Sequence, residues 1–199
     1  ETLGSYGAET VYAVDVDDAL VGVPVAAAIA AAVDAGGGPD AILFATTYDA
    51  RDIAARLSVK LDRTVLSNLI GLEVDDDTLV GTASIFGGQT DIQTKFTGEG
   101  PFLALVRPKS FVAEANDGDA ADTEDLDVPD LGSAGGATVT DRFVEESEGP
   151  KLDEAAVVVA GGRGLGEAEK FEMVAELAKK LKGAAGASRA IVDAGWVPY

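Results

Sequence analysis

Two arginines, Arg163 and Arg189, lie in surroundings that suit chemistry better than packing. Arg163 sits in Gly161-Gly162-Arg163-Gly164-Leu165-Gly166, directly after the apolar run Val157-Val158-Val159-Ala160. A strand that enters a tight glycine turn and then opens a helix aims backbone N–H groups and a helix N-terminus at an anion. The glycines let a flat ring or a pyrophosphate approach the backbone, and the guanidinium adds a fixed positive charge that suits an anionic ligand or a reduced cofactor. Ser188 and Arg189 follow the small-residue run Ala184-Ala185-Gly186-Ala187, which reads as the next strand. If the two strands are neighbours, both arginines face one crevice, and the expected cofactor-binding set is Gly162, Arg163, Gly164, Ser188 and Arg189. Each has a plainer reading as well: a surface arginine paired with one of many carboxylates, or, for Ser188, a simple helix cap. Asp193 reads as a turn or cap residue and Trp196 as packing.

As a bare motif the glycine turn is not a nicotinamide site. The glycines at 161, 164 and 166 do not spell the usual dinucleotide fingerprint, and the position about 20 residues on, where an acidic group would hold a ribose, falls in the helix or its C-cap. Whole-chain chemistry narrows the choice further. There is no Cys and no His, which removes thiolate and imidazole chemistry, and no paired carboxylates stand out for hydrolysis or acyl transfer. No catalytic residue and no metal site are expected. The balance of 35 Asp+Glu against 15 Lys+Arg gives a net charge of −20. That argues against nucleic acid and anionic membrane surfaces as partners, because phosphate binding needs a positive stripe. The acidity is spread along the chain and fits adaptation to a salty cytoplasm. No apolar run approaches the roughly 18 residues that span a bilayer, so no membrane insertion is expected, and no signal peptide is visible.

The elements that must position these residues follow from the hydrophobic pattern. Residues 171, 174, 177, 178 and 181 (Phe, Val, Leu, Ala, Leu) share one face of a helix predicted over 167–182, with Glu167 and Glu169 in its first turn, lysines in its last, and Gly183 as C-cap. Ser188 caps a short helix that Gly195 ends. Upstream, Val11–Val14 reads as a strand and Val25–Asp34 as a helix entered at Pro24. Ala41–Ala45 is a continuous apolar run, the mark of a parallel strand covered on both faces. Asp49 is placed to cap a helix from Ala50 to Leu61. Strand and helix alternate, which implies a parallel α/β sheet. From Thr64 the pattern changes to strands over 64–74, 78–86, 92–96 and 102–106, whose short links point to antiparallel strands at the sheet edge. Gly87-Gly88 marks a bulge or a close backbone approach. Glu114 to Gly136 holds eight acidic residues and no basic one, and reads as a solvated linker or insertion. Thr138–Val144 resumes as a strand. The expected domains are 1–113, a partial N-terminal α/β domain; 114–136, the acidic insertion; 137–150, a strand and connection; and 151–199, the start of a second domain.

Taken together, Val157-Val158-Val159-Ala160-Gly161-Gly162-Arg163-Gly164, then Glu169-Lys170-Phe171, then 186–198 (Gly-Ala-Ser-Arg-Ala-Ile-Val-Asp-Ala-Gly-Trp-Val-Pro) resemble the electron transfer flavoprotein α subunit, of the halophilic archaeal type. Residues 41–113 resemble the family's N-terminal domain more loosely. The resemblance implies an α/β fold: a mostly parallel N-terminal domain with antiparallel edge strands, followed by the beginning of a flavodoxin-like FAD-binding domain. It implies FAD as cofactor and the electron transfer flavoprotein β subunit as heterodimer partner. It also implies a cytoplasmic electron carrier rather than an enzyme with its own substrate. Such a carrier takes electrons from flavin dehydrogenases, among them acyl-CoA dehydrogenases of fatty acid β-oxidation, and delivers them to a quinone oxidoreductase or a similar acceptor. By resemblance, Arg163 lies beside the flavin ring, Ser188 contacts FAD, and Arg189 lies over the isoalloxazine. Positive charge there favours the anionic reduced forms of a flavin and raises its potential.

The family pattern continues past Val-Pro with a Gln-Thr-Gly-Lys turn, a Ser-Gly-x-x-Gln-His segment and an Asn…Asp pair, none of which is present through Tyr199. The 199 residues are therefore expected to be part of a longer chain, truncated at both ends, with an incomplete site that does not retain FAD alone. The alternative is a non-redox α/β module that binds an adenine nucleotide or serves as a scaffold.

Overall fold

The computed structural model describes residues 2–36, 38–116, 118–142, 150–152 and 154–198. They form two compact units, Glu1–Asp141 and Arg142–Tyr199.

In the first unit, β1 (Thr10–Ala13) is followed by α1 (Gly22–Asp34), β2 (Ala41–Ala45), α2 (Tyr48–Leu61), β3 (Val65–Asp75), β4 (Thr78–Ile85), β5 (Thr90–Lys95), β6 (Phe102–Val106) and β7 (Asp122–Asp125). Five strands make one sheet in the order β2-β6-β3-β4-β5. β2 and β3 both run parallel to β6, whereas β4 and β5 add antiparallel. The helices pack together with the parallel strands. Ala26, Ala30, Ala54, Leu57, Phe44, Leu103 and Leu105 are buried as one core. Alanine on α1 lets the two helices approach closely, while Leu57 of α2 and Leu103 of β6 are fully buried.

The parallel α/β character and the antiparallel β3–β5 edge match expectation, and four details differ. β6 is not an edge strand. It is the centre of the parallel part, with Leu103, Ala104 and Leu105 at 0, 0 and 7% exposure. Its link from β5 is short, but six residues reach roughly 20 Å, enough to recross the roughly 14 Å of three strand spacings. β2 is covered on one face only: Phe44 is buried and Leu43 is 57% exposed, because β2 takes the outer place that the sequence offers β6. The cap of α2 is Thr47, not Asp49; extended Thr47 accepts the Ala50 N–H on its hydroxyl at 3.2 Å. Gly87 and Gly88 are neither a bulge nor a close approach. They form the β4–β5 turn at φ +68° and +88°, with open space where side chains would stand.

The acidic stretch also differs from a free linker. β7 pairs in parallel with β1, Thr10 to Asp122 through Ala13 to Asp125. The flanking backbone follows the same path, with Asn116 N–H donating to Ser5 C=O and Leu126 N–H to Ala13 C=O, both at 2.8 Å. A ladder of backbone bonds needs no apolar side chains, so four exposed residues suffice for a strand. Of the strand expected over 138–144, Thr138 makes a single antiparallel bridge to Ala19, and 143–144 lie outside the described residues.

In the second unit, β8 (Val158–Gly161) leads through 3-10 turns at Arg163–Leu165 and Ala168–Lys170 into α3 (Phe171–Lys180), then β9 (Ala184–Ala187) and α4 (Arg189–Val192). β8 and β9 pair in parallel, Val158 with Ala184 through Gly161 with Ala187, and α3 packs on both.

Candidate functional site

The register of β8 and β9 aligns their carboxyl ends, so the glycine turn and the Ser-Arg segment leave the sheet side by side. The Ser188 N–H donates to the Gly161 carbonyl at 2.9 Å. A Cβ on Gly162 would stand 3.1 Å from Ser188 Oγ. Gly162 is therefore a close approach to the serine, a reason for glycine that the turn motif does not reveal. Beyond it the loop turns tightly, with Leu165 N–H donating to Gly162 C=O and Gly166 N–H to Arg163 C=O, each at 3.0 Å. Gly164 and Gly166 face open space.

Of the five expected binding residues, the structure brings Gly162 and Ser188 together and sets Arg163 and Gly164 on the adjoining turn. Arg163 is exposed, and its guanidinium has no hydrogen-bond or ion-pair partner among the described residues. Arg189 behaves otherwise: its Nε lies 3.2 Å from Asp193 Oδ2, one helical turn on, and its side chain is 90% exposed. Asp193 is the C-cap of α4, as expected, with its N–H donating to Arg189 C=O at 2.8 Å, and it is also the ion-pair partner of Arg189. Ser188 stands at the N-cap of α4 without a side-chain cap bond, which leaves its hydroxyl available toward Gly162. Trp196 is half-buried and closes the segment through its N–H to Ile191 C=O at 2.9 Å; Ile191 is fully buried.

The supporting helix departs from its predicted span. α3 begins at Phe171, so Glu167 and Glu169 belong to the preceding 3-10 turn and Glu172 is the acidic residue of the first helical turn. On the predicted apolar face only Val174 and Ala178 are buried, while Leu177 and Leu181 are about half exposed, because a sheet of two four-residue strands gives the helix little to cover. Gly183 is not the left-handed cap. Lys182 takes that conformation at φ +53°, with Lys182 N–H to Lys179 C=O and Gly183 N–H to Ala178 C=O completing the motif. Gly183 is needed for proximity instead, since a Cβ there would meet the Val157 carbonyl oxygen at 2.3 Å.

A parallel strand pair whose glycine-turn ends carry an arginine without a partner among the described residues, a close serine and open space marks an α/β protein with an open carboxyl sheet edge, the kind of place where ligands sit in such sheets. Comparison with known proteins gives the same class. Residues 1–131 match the electron transfer flavoprotein domain, and residues 151–199 match the electron transfer flavoprotein FAD-binding domain. The chain belongs to the electron transfer flavoprotein family. It is similar to electron transfer flavoprotein subunit alpha of Mycobacterium leprae, 34% identical over 98% of this chain and 60% of that protein. It is also similar to the same subunit of Paracoccus denitrificans, 38% identical over 92% of this chain and 57% of that protein, and to Protein FixB of Clostridium saccharobutylicum, 30% identical over 80% and 48%. The chain thus spans about half to three-fifths of the length of the curated relatives it matches. FAD is the cofactor that the matched C-terminal domain implies, and the open, cationic edge beside Ser188 fits it. Among the described residues, no helix is long and apolar enough to cross a membrane.

Proposed function

We propose that the protein acts as the α subunit of an electron transfer flavoprotein of the halophilic archaeal type, working in the cytoplasm as a heterodimer with a β subunit. In this reading it takes electrons from flavin dehydrogenases, such as those acting on acyl-CoA, and passes them to a quinone oxidoreductase or similar acceptor. The net charge of −20 supports the halophilic assignment. The observation that carries the reading is the paired carboxyl edge of β8 and β9, where Gly162 meets Ser188 beside the unpaired Arg163. Bound at this edge, FAD supplies the redox chemistry. Gly162 and Gly164 admit it to the backbone, Ser188 Oγ donates a hydrogen bond, and Arg163 holds positive charge at the ring. Arg189 leaves Asp193 to add a second charge, an exchange of one exposed ion pair for another that is nearly neutral in energy.

The test is flavin content and reduction potential of the full-length protein purified with its β subunit. Arg163→Gln is expected to lower flavin affinity roughly tenfold or more, the loss of a charge-assisted bond, and to lower the potential of what remains bound. Unchanged affinity and potential in both Arg163→Gln and Arg189→Gln would overturn the assignment. The 199-residue chain alone is expected to be colourless, and a stoichiometric yellow protein would contradict the expectation that this piece holds an incomplete site.

A further inference from the structure

The first unit has a second carboxyl edge, at the corner where β6 ends and β3 passes from its parallel to its antiparallel partner. There Arg107 N–H donates to Leu69 C=O at 2.8 Å, and Leu69 pairs with Ala83 of β4. The register therefore gathers Asn68 of β3, Ser84 at the end of β4, the Phe86-Gly87-Gly88 turn and Arg107 around one open cavity of about 560 Å³.

Three features of this corner bear on what it could bind, beyond the β3 register shift at Asn68 and the β4–β5 turn at Phe86 that set their backbone. The first is backbone conformation. Asn68 and Phe86 are left-handed at φ +60° and +52°, and such residues persist only where the surroundings hold them, often at ligand sites. Phe86 is the more telling, since an aromatic residue gains nothing locally from that conformation. The second is that Phe86 is 76% exposed, so the strained backbone holds its ring toward water instead of into a core. The third is charge. Acidic residues outnumber basic ones by 35 to 15, yet the Arg107 guanidinium has no partner among the described residues. The Ser84 hydroxyl of this lining donates to Asp91 Oδ1. Next to the ring, Gly87 and Gly88 leave their backbone uncovered.

We propose that this corner binds a small molecule carrying an oxyanion on a flat ring, an aromatic or heteroaromatic carboxylate or phosphate. Arg107 receives the oxyanion, Asn68 donates a neighbouring hydrogen bond, and the ring stacks on Phe86 over the Gly87-Gly88 backbone. The site is independent of the flavin edge, which belongs to the other unit.

The test is titration of the protein with benzoate, phenyl phosphate and inorganic phosphate, read by amide chemical shifts. Saturable shifts at Gly87, Gly88 and Arg107 are expected for the ring-bearing probes. Arg107→Gln should weaken them roughly tenfold or more, without loss of fold since the side chain is exposed. Phe86→Gly, which suits the left-handed backbone and so preserves the turn, should weaken benzoate and phenyl phosphate but not inorganic phosphate. If no probe gives saturable shifts there, or if Arg107→Gln leaves them unchanged, the site does not exist. If Phe86→Gly affects all three probes alike, or none, the ring-stacking assignment fails. Flavin content is expected to be unchanged in both variants, so failure here leaves the flavin assignment standing.

Discussion

Two edges of this chain carry an arginine that has no partner among the described residues, each on the loop after a parallel strand, and they are built by opposite means. At the β8–β9 edge the neighbours are glycines and a serine: Gly162 comes close to the Ser188 hydroxyl, and Gly183 meets the Val157 backbone with no room for a methyl group. At the β3–β6 corner the neighbours keep their side chains, and the backbone is forced left-handed at Asn68 and Phe86 to hold them out. In the roles proposed above, the first edge would admit a large extended group by lacking side chains, and the second would offer a ring and a charge to a small one. Behind them lie different supports. The β3–β6 corner rests on a core with fully buried Leu57, Leu69 and Leu103, whereas α3 leaves half its apolar face exposed over two short strands.

The contrast can be broken most severely from the side of the larger core. Leu103→Ala opens a cavity at the centre of the parallel strands and is expected to destabilise the first unit by about 2–5 kcal/mol, measured by denaturant unfolding. A loss well under that range would mean that β6 is not the centre of the core. Next in size, Gly183→Ala puts a methyl group onto a backbone carbonyl and is expected to cost about 1–3 kcal/mol, seen as faster hydrogen exchange at β8 and β9 with β2–β6 unaffected. Equal loosening of both sheets would refute the separate support of the two edges. The smallest effect runs the other way. Lys182→Gly relieves a left-handed lysine and is expected to raise the stability of the second unit by up to about 1 kcal/mol; a decrease would show that the C-cap of α3 is formed differently.

Much of this architecture is legible without coordinates. The β8 strand, its glycine turn, the helical spacing of Phe171, Val174 and Ala178, and the β3–β4 hairpin around Asp75–Asp77 are local patterns, and local periodicity reports them. The places where reading fails share one cause. The central position of β6, the exposed outer face of β2 and the pairing of β7 with β1 depend on which strand lies beside which, and partners far apart in sequence leave no periodic trace. The acidic composition of 122–125 argues against burial but is silent on backbone pairing. For the same reason Gly162 and Gly183 read as turn and cap residues, although Gly162 comes close to the Ser188 hydroxyl and Gly183 is required by its contact with Val157.

What the amino acids decide by themselves is chemistry and class: no thiol or imidazole, a strongly acidic surface, strands alternating with helices, and two arginines set among glycine and alanine. Only the tertiary structure decides that β8 and β9 are in-register neighbours, that Ser188 closes on Gly162, that Arg189 rests on Asp193 while Arg163 has no partner among the described residues, and that Arg107 and Phe86 line one cavity. Side-chain type is carried by each residue alone. Proximity comes from the balance of burial and hydrogen bonding over the whole chain, which no single stretch contains.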